Sequence, residues 1–283
     1  MALHPVFQKG RVAVITGAAD GIGLSAAKKY AALGMKVCMA DINEDALNVA
    51  ADEVRAVAAE GHTAVVPVVT DVSNLTAVQH LKDVALETFG EVGVLMNNAG
   101  RGGGGDAHKN IEGWQKVLNT NLWGVINGVQ TFVPDMIEQG TPCAVINTGS
   151  KQGITTPPGD TAYNVSKAGI KVLTEGLQHS LRNTENCQVT AHLLVPGFTF
   201  TGMIKAFISE KPPAAWSADQ VVDFMMDGMG NGDFYIICPD NDVDRATDNK
   251  RMYWAAHDII ENRTPLSRWD ENYKDAFEKF MSD

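Results

Sequence analysis

Short apolar runs alternate with longer amphipathic stretches along most of the 283 residues. Arg11–Thr16 (RVAVIT), Lys36–Ala40 (KVCMA), Thr63–Val69 (TAVVPVV), Val92–Met96 (VGVLM), Ala144–Thr148 (AVINT) and Gln188–Leu194 (QVTAHLL) are brief, often β-branched and almost continuously apolar. That pattern suits strands of a parallel sheet covered on both faces. Phe234–Cys238 (FYIIC) suits a last strand at the sheet edge. Helical periodicity fills the gaps, over about 21–33, 44–60, 75–89, 111–138 and 160–182. Ser217 is placed to cap a further short helix reaching about Met229. Strand and helix in strict alternation predict a single α/β domain built on a doubly wound parallel sheet of Rossmann type.

After Pro239 the composition shifts. Residues 241–283 are rich in charge and in Trp and Tyr, and read as two helices split by RTPLS. Residues 1–240 are therefore expected to form the main domain, with 241–283 a helical extension of it that packs on the domain or on a partner subunit. No internal repeat is present, and RGGGG at 101–105 reads as a flexible loop. Apolar residues make up 45% of the chain, enough for a sizeable core. The net charge of -11 argues against nucleic acid or an anionic membrane as a partner, since both reward basic patches. Cys38, Cys143, Cys187 and Cys238 are far apart in sequence, so reduced, mostly buried thiols are expected and no metal site. The first residues, MALHPVFQKGRVAVITG, lack the basic head and apolar run of a signal peptide. No stretch reaches the length of a membrane span, and a cytoplasmic protein is the expectation.

The first strand runs directly into TGAADGIG, residues 16–23. Gly17, Gly21 and Gly23 sit where a strand turns into a helix, which allows a tight turn and a close backbone approach to a phosphate. With Ile22, they open a helix whose free N–H groups favour a pyrophosphate. The second strand ends in Asp41, followed by Ile42. A carboxylate there can accept both hydroxyls of an adenosine ribose and repel a 2′-phosphate, although it could instead cap the next helix. Asp20 adds negative charge where an NADP site would want Arg or Lys, so the pair points to NAD. The third strand leads to Asp71 and Val72, with Asp71 within reach of an adenine amino group. The fourth ends in NNAG, where Asn98, Ala99 and Gly100 let the backbone pass beneath a cofactor.

TAYNVSKAG, residues 161–169, places Tyr163 and Lys167 on one helical face. A neighbouring cation favours a phenolate. Bringing a tyrosine from near 10 to about 7 takes roughly 4 kcal/mol of differential stabilisation. Lys167 could supply part of that, and an oxidised nicotinamide more. Tyr163 could then act as base towards an alcohol or acid towards a ketone. Asn121 falls inside the apolar stripe of Trp114, Val117, Leu118, Leu122, Val125, Val129 and Phe132. A buried amide needs partners. Those could be a structural hydrogen bond, or a water leading to Lys167.

Taken together, TGxxxGIG, Asp41, Asp71-Val72, NNAG, a helical Asn, Ser150, YxxxK and a Pro-Gly strand end resemble the short-chain dehydrogenase/reductases over roughly residues 10–202. The resemblance implies a nicotinamide cofactor, hydride exchange with an alcohol or carbonyl carbon, and a catalytic group of Asn121, Ser150, Tyr163 and Lys167. It makes residues 1–240 an NAD-binding catalytic domain. It adds Pro196, Gly197, Thr199 and Thr201 to the cofactor site, with Thr201 orienting the nicotinamide amide and Tyr163 and Lys167 near its ribose. It also implies a homodimer or homotetramer through the helices carrying Asn121 and Tyr163, where Gly169 and Gly176 would permit close packing. Phe198, Phe200, Met203, Phe207 and Trp216 follow the Pro-Gly end and suggest an apolar or aromatic alcohol or ketone as substrate. An NADP-linked carbonyl reductase and a catalytically silent nucleotide-binding scaffold are the alternatives.

Overall fold

The computed structural model describes residues 3–205 and 208–283. Seven strands form one parallel sheet: β1 (Val12–Thr16), β2 (Lys36–Asp41), β3 (Val65–Val69), β4 (Val94–Asn97), β5 (Cys143–Thr148), β6 (Val189–Val195) and β7 (Tyr235–Ile237). Their order is β3-β2-β1-β4-β5-β6-β7. The strands match the apolar runs of the sequence to within a residue or two. Their lack of polar alternation has a direct cause, because both faces are covered. Ala13 and Ile15 of β1 enter one core and Val14 the other. Val37 and Met39 of β2 face the first core while Cys38 and Ala40 face the second.

The first core is closed by α1 (Gly21–Ala32), α2 (Glu44–Val57) and α9 (Ala218–Gly230). The second is closed by α3 (Leu75–Phe89), α5 (Gly124–Glu138) and α7 (Thr161–Arg182). Helix starts follow local capping chemistry. Asn43 accepts from the Ala46 amide at 3.1 Å and Asn74 from the Thr76 amide at 2.9 Å. Ser217 and Gln220 form a reciprocal capping box. One element departs from the sequence expectation. The helix over 111–138 is divided into α4 (Ile111–Leu118), a π-helical turn over Asn119–Trp123, and α5. The wider turn falls on Asn121, whose side chain has left the apolar stripe's role for polar partners.

Two short helices, α6 (Gln152–Thr155) and α8 (Gly202–Lys205), lie after β5 and β6, and α10 (Arg245–Ile260) begins the segment after β7. With α11 (Lys274–Ser282), α10 forms a small aromatic cluster. Trp254 meets Phe277 edge-on at 5.3 Å and Phe280 at 5.3 Å, with the Arg263 guanidinium 4.4 Å over its ring. Its indole N–H donates to Ser267 at 2.8 Å. The extension joins the sheet domain through a buried ion pair, Lys151 with Asp248 of α10 at 2.6 Å. No helix among the described residues is long and apolar enough to cross a membrane.

Trp254 is nearly fully buried and fixes both helices of the extension. Trp254→Ala should therefore cost about 3–5 kcal/mol, read as a lower urea midpoint, with loss of the near-ultraviolet dichroism of the aromatic cluster.

Candidate active site

All seven strands point their C-terminal ends at one side of the sheet. Between β1 and β4 the strand order reverses, and the loops leaving those strands part to open a crevice. The crevice contains a cavity of about 680 Å³. Its first wall is the turn after β1. Gly17 has φ +65, and a Cβ there would stand 2.8 Å from the Ala99 Cα. Gly21 has φ +57 and lies against Thr201. A Cβ on Gly23 would overlap the Gly17 carbonyl, so this glycine lets α1 pack beneath the turn and does not itself line the cavity. The Asn98 side chain holds the Thr16 and Gly17 carbonyls at 3.1 and 3.3 Å. The Thr16 hydroxyl accepts from the Asn98 and Ala99 amides at 3.0 and 3.1 Å.

Asp41 lies at the end of β2 and lines the cavity. Its carboxylate accepts from the Ala19 amide at 3.2 Å and the Asn43 amide at 3.0 Å, so it is aimed by the turn rather than spent as the α2 cap. Asp20, Ile22, Ala99, Gly100, Pro196, Gly197, Thr199 and Thr201 line the same space. Besides Gly23, three expected cofactor residues do not. The Ile42 side chain is exposed, Val72 is buried against Gly124, and Asp71 accepts from the Ser73 amide and hydroxyl at 2.9 and 2.7 Å. Asp71 is thus folded back on its own turn.

The opposite wall carries Ser150, Tyr163 and Lys167. Lys167 is buried, and its ammonium donates to the Thr148 carbonyl at 2.8 Å. It lies 5.5 Å from the centre of the Tyr163 ring. Burial pushes the lysine down to about 8. For Tyr163, burial pushes the phenol up, the Ser150 hydroxyl facing it works against that, and the Asp160 carboxylate adds to it. The net direction set by the protein's own groups is upward; the acidified phenol expected from sequence rested in part on an oxidised nicotinamide. Desolvation outweighs the help of the neighbours in this pocket. Thr148 is set apart from Ser150 by its own bonds, since its hydroxyl donates to Asn98 at 3.3 Å.

Asn121 is fully buried. Its amide accepts from the Arg101 N–H at 2.8 Å and donates to the Arg101 carbonyl at 2.9 Å and to Ser166 at 3.1 Å. The side chain thus clamps the start of the glycine loop. The apolar residues after β6 divide. Phe198 and Met203 line the cavity with Ile204, whereas Trp216 packs into the first core and against Phe224. Phe200 is not part of the lining, and Phe207 lies outside the described residues. Lys151, Gln152 and Asp160 also line the cavity and were not anticipated. An Asp one residue before a helix is a capping signal that could have marked Asp160.

A family model described as short chain dehydrogenase matches residues 11–212. The chain belongs to the short-chain dehydrogenases. It is an oxidoreductase of that family, and its sheet matches the family fold. A crystal structure of a short-chain dehydrogenase/reductase from Burkholderia phymatum, in complex with NAD, superposes with a TM-score of 0.81 at 35% identity, covering 92% of this chain and 97% of that one. The 1-deoxy-11-beta-hydroxypentalenate dehydrogenase of Streptomyces exfoliatus is 32% identical over 80% of this chain and 82% of its own length. The 3beta-hydroxysteroid dehydrogenase 2 of Eggerthella lenta is 31% identical over 71% of this chain and 76% of its own.

A lysine depressed to about 8 has a stability signature. The unfolded chain holds that proton up to about 10.4. Between these values the unfolded state binds more protons, so stability from this group rises with pH across that window. Urea unfolding of wild type and Lys167→Met at pH 7 and 9.5 should show the balance moving towards wild type by about 1–2 kcal/mol at the higher pH.

Proposed function

We propose that this dehydrogenase uses NAD to interconvert a secondary alcohol and a ketone. The observation that carries the reading is the arrangement of one cavity. Ser150, Tyr163 and Lys167 form one wall, and the glycine turn and Asp41 form the other. The turn has the form a dinucleotide needs, since its glycines leave no Cβ between backbone and ligand. The N-terminus of α1, with Gly21 and Ile22, would receive the pyrophosphate. Asp41 would take the adenosine ribose hydroxyls, and its charge, with that of Asp20, opposes a 2′-phosphate. Tyr163 and Lys167 would reach the nicotinamide ribose, and Pro196, Gly197, Thr199 and Thr201 its amide. Asp71 could serve the adenine only by leaving its bonds to Ser73. When bound, the nicotinamide supplies the hydride acceptor or donor and, oxidised, a positive charge.

The chain's own part is proton chemistry at the substrate oxygen. Ser150 holds that oxygen, and Tyr163 gives or takes its proton. With the phenol held protonated by its surroundings, the donor role towards a ketone needs no further help. The base role needs added positive charge. The Asn121 side chain serves this site by fixing Arg101. Phe198, Met203 and Ile204 give the substrate an apolar surface. Relatives named for a hydroxypentalenate, which carries a carboxylate, and for a hydroxysteroid fit an alcohol on a large apolar skeleton.

A cytoplasmic homo-oligomer goes with this reading. Trp123, Val165 and Val172 leave apolar surface exposed on the helices expected to pair. Gly176 faces open space there, whereas Gly169 is taken up within the protomer by Leu122.

NADH absorbance with cyclohexanol, borneol and benzhydrol as alcohols tests the reaction. Tyr163→Phe should bind NADH normally by fluorescence titration and lose at least about a hundredfold in kcat, within the usual range for a general acid–base. Full activity in that variant would remove Tyr163 from the chemistry, and no turnover with any alcohol in wild type would favour a silent scaffold. Asp41→Ala should relax the preference for NAD over NADP about tenfold or more, the loss of one charge-assisted contact. Unchanged preference would count against the ribose assignment.

A further inference from the structure

The run RGGGG poses a question that the reaction does not answer. Consecutive glycines lose much conformational freedom on folding, yet this run is tied down by hydrogen bonds along its length. Three successive amides turn to one carboxylate. Gly103 and Gly104 donate to Asp160 Oδ2 at 2.8 and 3.3 Å, and Gly105 donates to Oδ1 at 3.0 Å. The same Oδ1 accepts from the Tyr163 amide at 3.1 Å, capping α7. The wrap demands glycine. Gly103 and Gly105 have φ +89 and +84, and a Cβ on Gly104 would overlap that of Ala162. The Asn110 side chain donates to the Gly103 carbonyl at 3.3 Å, and the Ala162 amide to the Gly105 carbonyl at 3.4 Å. At the other end, Asn121 clamps Arg101.

Resting on the proposed reaction, we infer that Asp160 is a positioning residue that locks the 101–105 loop as a fixed wall of the cavity. The lock also ties that wall to the helix carrying Tyr163 and Lys167. An ordinary cap would use the Tyr163 amide alone; the three glycine amides are additional. Converging backbone amides of this kind form a nest that attracts anions. Here the protein's own carboxylate fills it, so no anionic group of a substrate is drawn to that side of Tyr163. The arrangement suits a neutral alcohol or ketone. The charged groups sharing the cavity are Lys167, Lys151, Asp20, Asp41 and Asp160 itself. Lys151 is paired with Asp248 and Asp240 at 2.6 and 3.6 Å. Of the carboxylates, Asp160 is the one that acts on Tyr163.

Asp160→Ser separates the two roles, because serine caps a helix with one oxygen but cannot span three further amides. Hydrogen exchange of the Gly103–Gly105 amides should accelerate at least about tenfold in this variant, the loss of one charged hydrogen bond or more. Protection along α7 beyond Lys167 should persist, and NADH affinity should stay within about twofold. Gly104→Ala should loosen the same amides with Asp160 intact. With benzhydrol, kcat should fall while the acid limb of its pH profile moves to lower pH, since a negative charge beside the phenol is gone. Unchanged exchange at 103–105 in Asp160→Ser, or an equal loss of protection along the whole of α7, would overturn the lock. The exchange result decides this even if wild type oxidises no alcohol, in which case the proposed reaction fails alone.

Discussion

The Thr16 hydroxyl joins the two halves of the sheet at the point where their loops part. It accepts two amides from the end of β4 and donates to the Met96 carbonyl at 3.4 Å. Asn98 returns the bond by holding the Thr16 and Gly17 carbonyls. The strand order makes this junction decisive. From β1 the chain winds towards β3, and from β4 it winds towards β7. A crevice is therefore unavoidable there, but its shape is not. The threonine–asparagine clamp sets the distance between the glycine turn and NNAG. With it fixed, α1 presents its N-terminus to the crevice and β5 delivers Ser150 to the far side. Had either strand end been apolar, the same topology would leave two loops free to drift apart.

Burial acts on Tyr163 and Lys167 in the same sense for both. It moves the lysine towards its neutral form and holds the phenol in its neutral form. A dry pocket disfavours charge on either group. Around neutral pH the phenol thus keeps its proton while the lysine, at about 8, is still mostly charged, so the two are not a standing ion pair. Charge introduced into the cavity would be felt strongly there, because little solvent screens it. An oxidised nicotinamide held beside the pair would add positive charge that favours the phenolate of Tyr163. Reversibility would follow from where the positive charge resides.

The strands were legible because a buried parallel sheet leaves an unbroken apolar signature, and helix starts such as Asn43 and Ser217 because capping is local. The glycine turn, Asp41 and the Tyr–Lys pair were legible because their spacing is read along one turn or one strand end. What was missed depends on contacts between distant segments. Nothing near residue 121 marks the inserted π-turn. Trp216 follows the strand end that suggested a substrate wall, yet its backbone pairs with Thr199 and its ring goes into the core. Gly169 pairs with Leu122 of its own chain rather than with open surface. The upward push of burial on Tyr163 was not legible for a different reason. Sequence shows the cation but not the depth of the pocket, and depth decided the balance.

The C-terminal extension belongs to this same account. Asp248 reaches from α10 to Lys151, the residue after Ser150, and Asp240 lies on the same ammonium. Asp240 also accepts the Phe198 amide at 3.2 Å and those of Asp242 and Val243 at 3.2 and 2.8 Å. One lysine and two carboxylates thus connect the segment after β5, the segment after β6 and the extension. A buried ion pair adds little net stability over an apolar substitute, because desolvation offsets most of the attraction. It does impose a geometry, since each charge is costly anywhere but beside its partner. The polar choice at this junction makes most sense as a way to register three separate segments around the wall that carries Ser150 and Phe198. The extension then shapes the cavity from behind, without placing any residue of its own inside it.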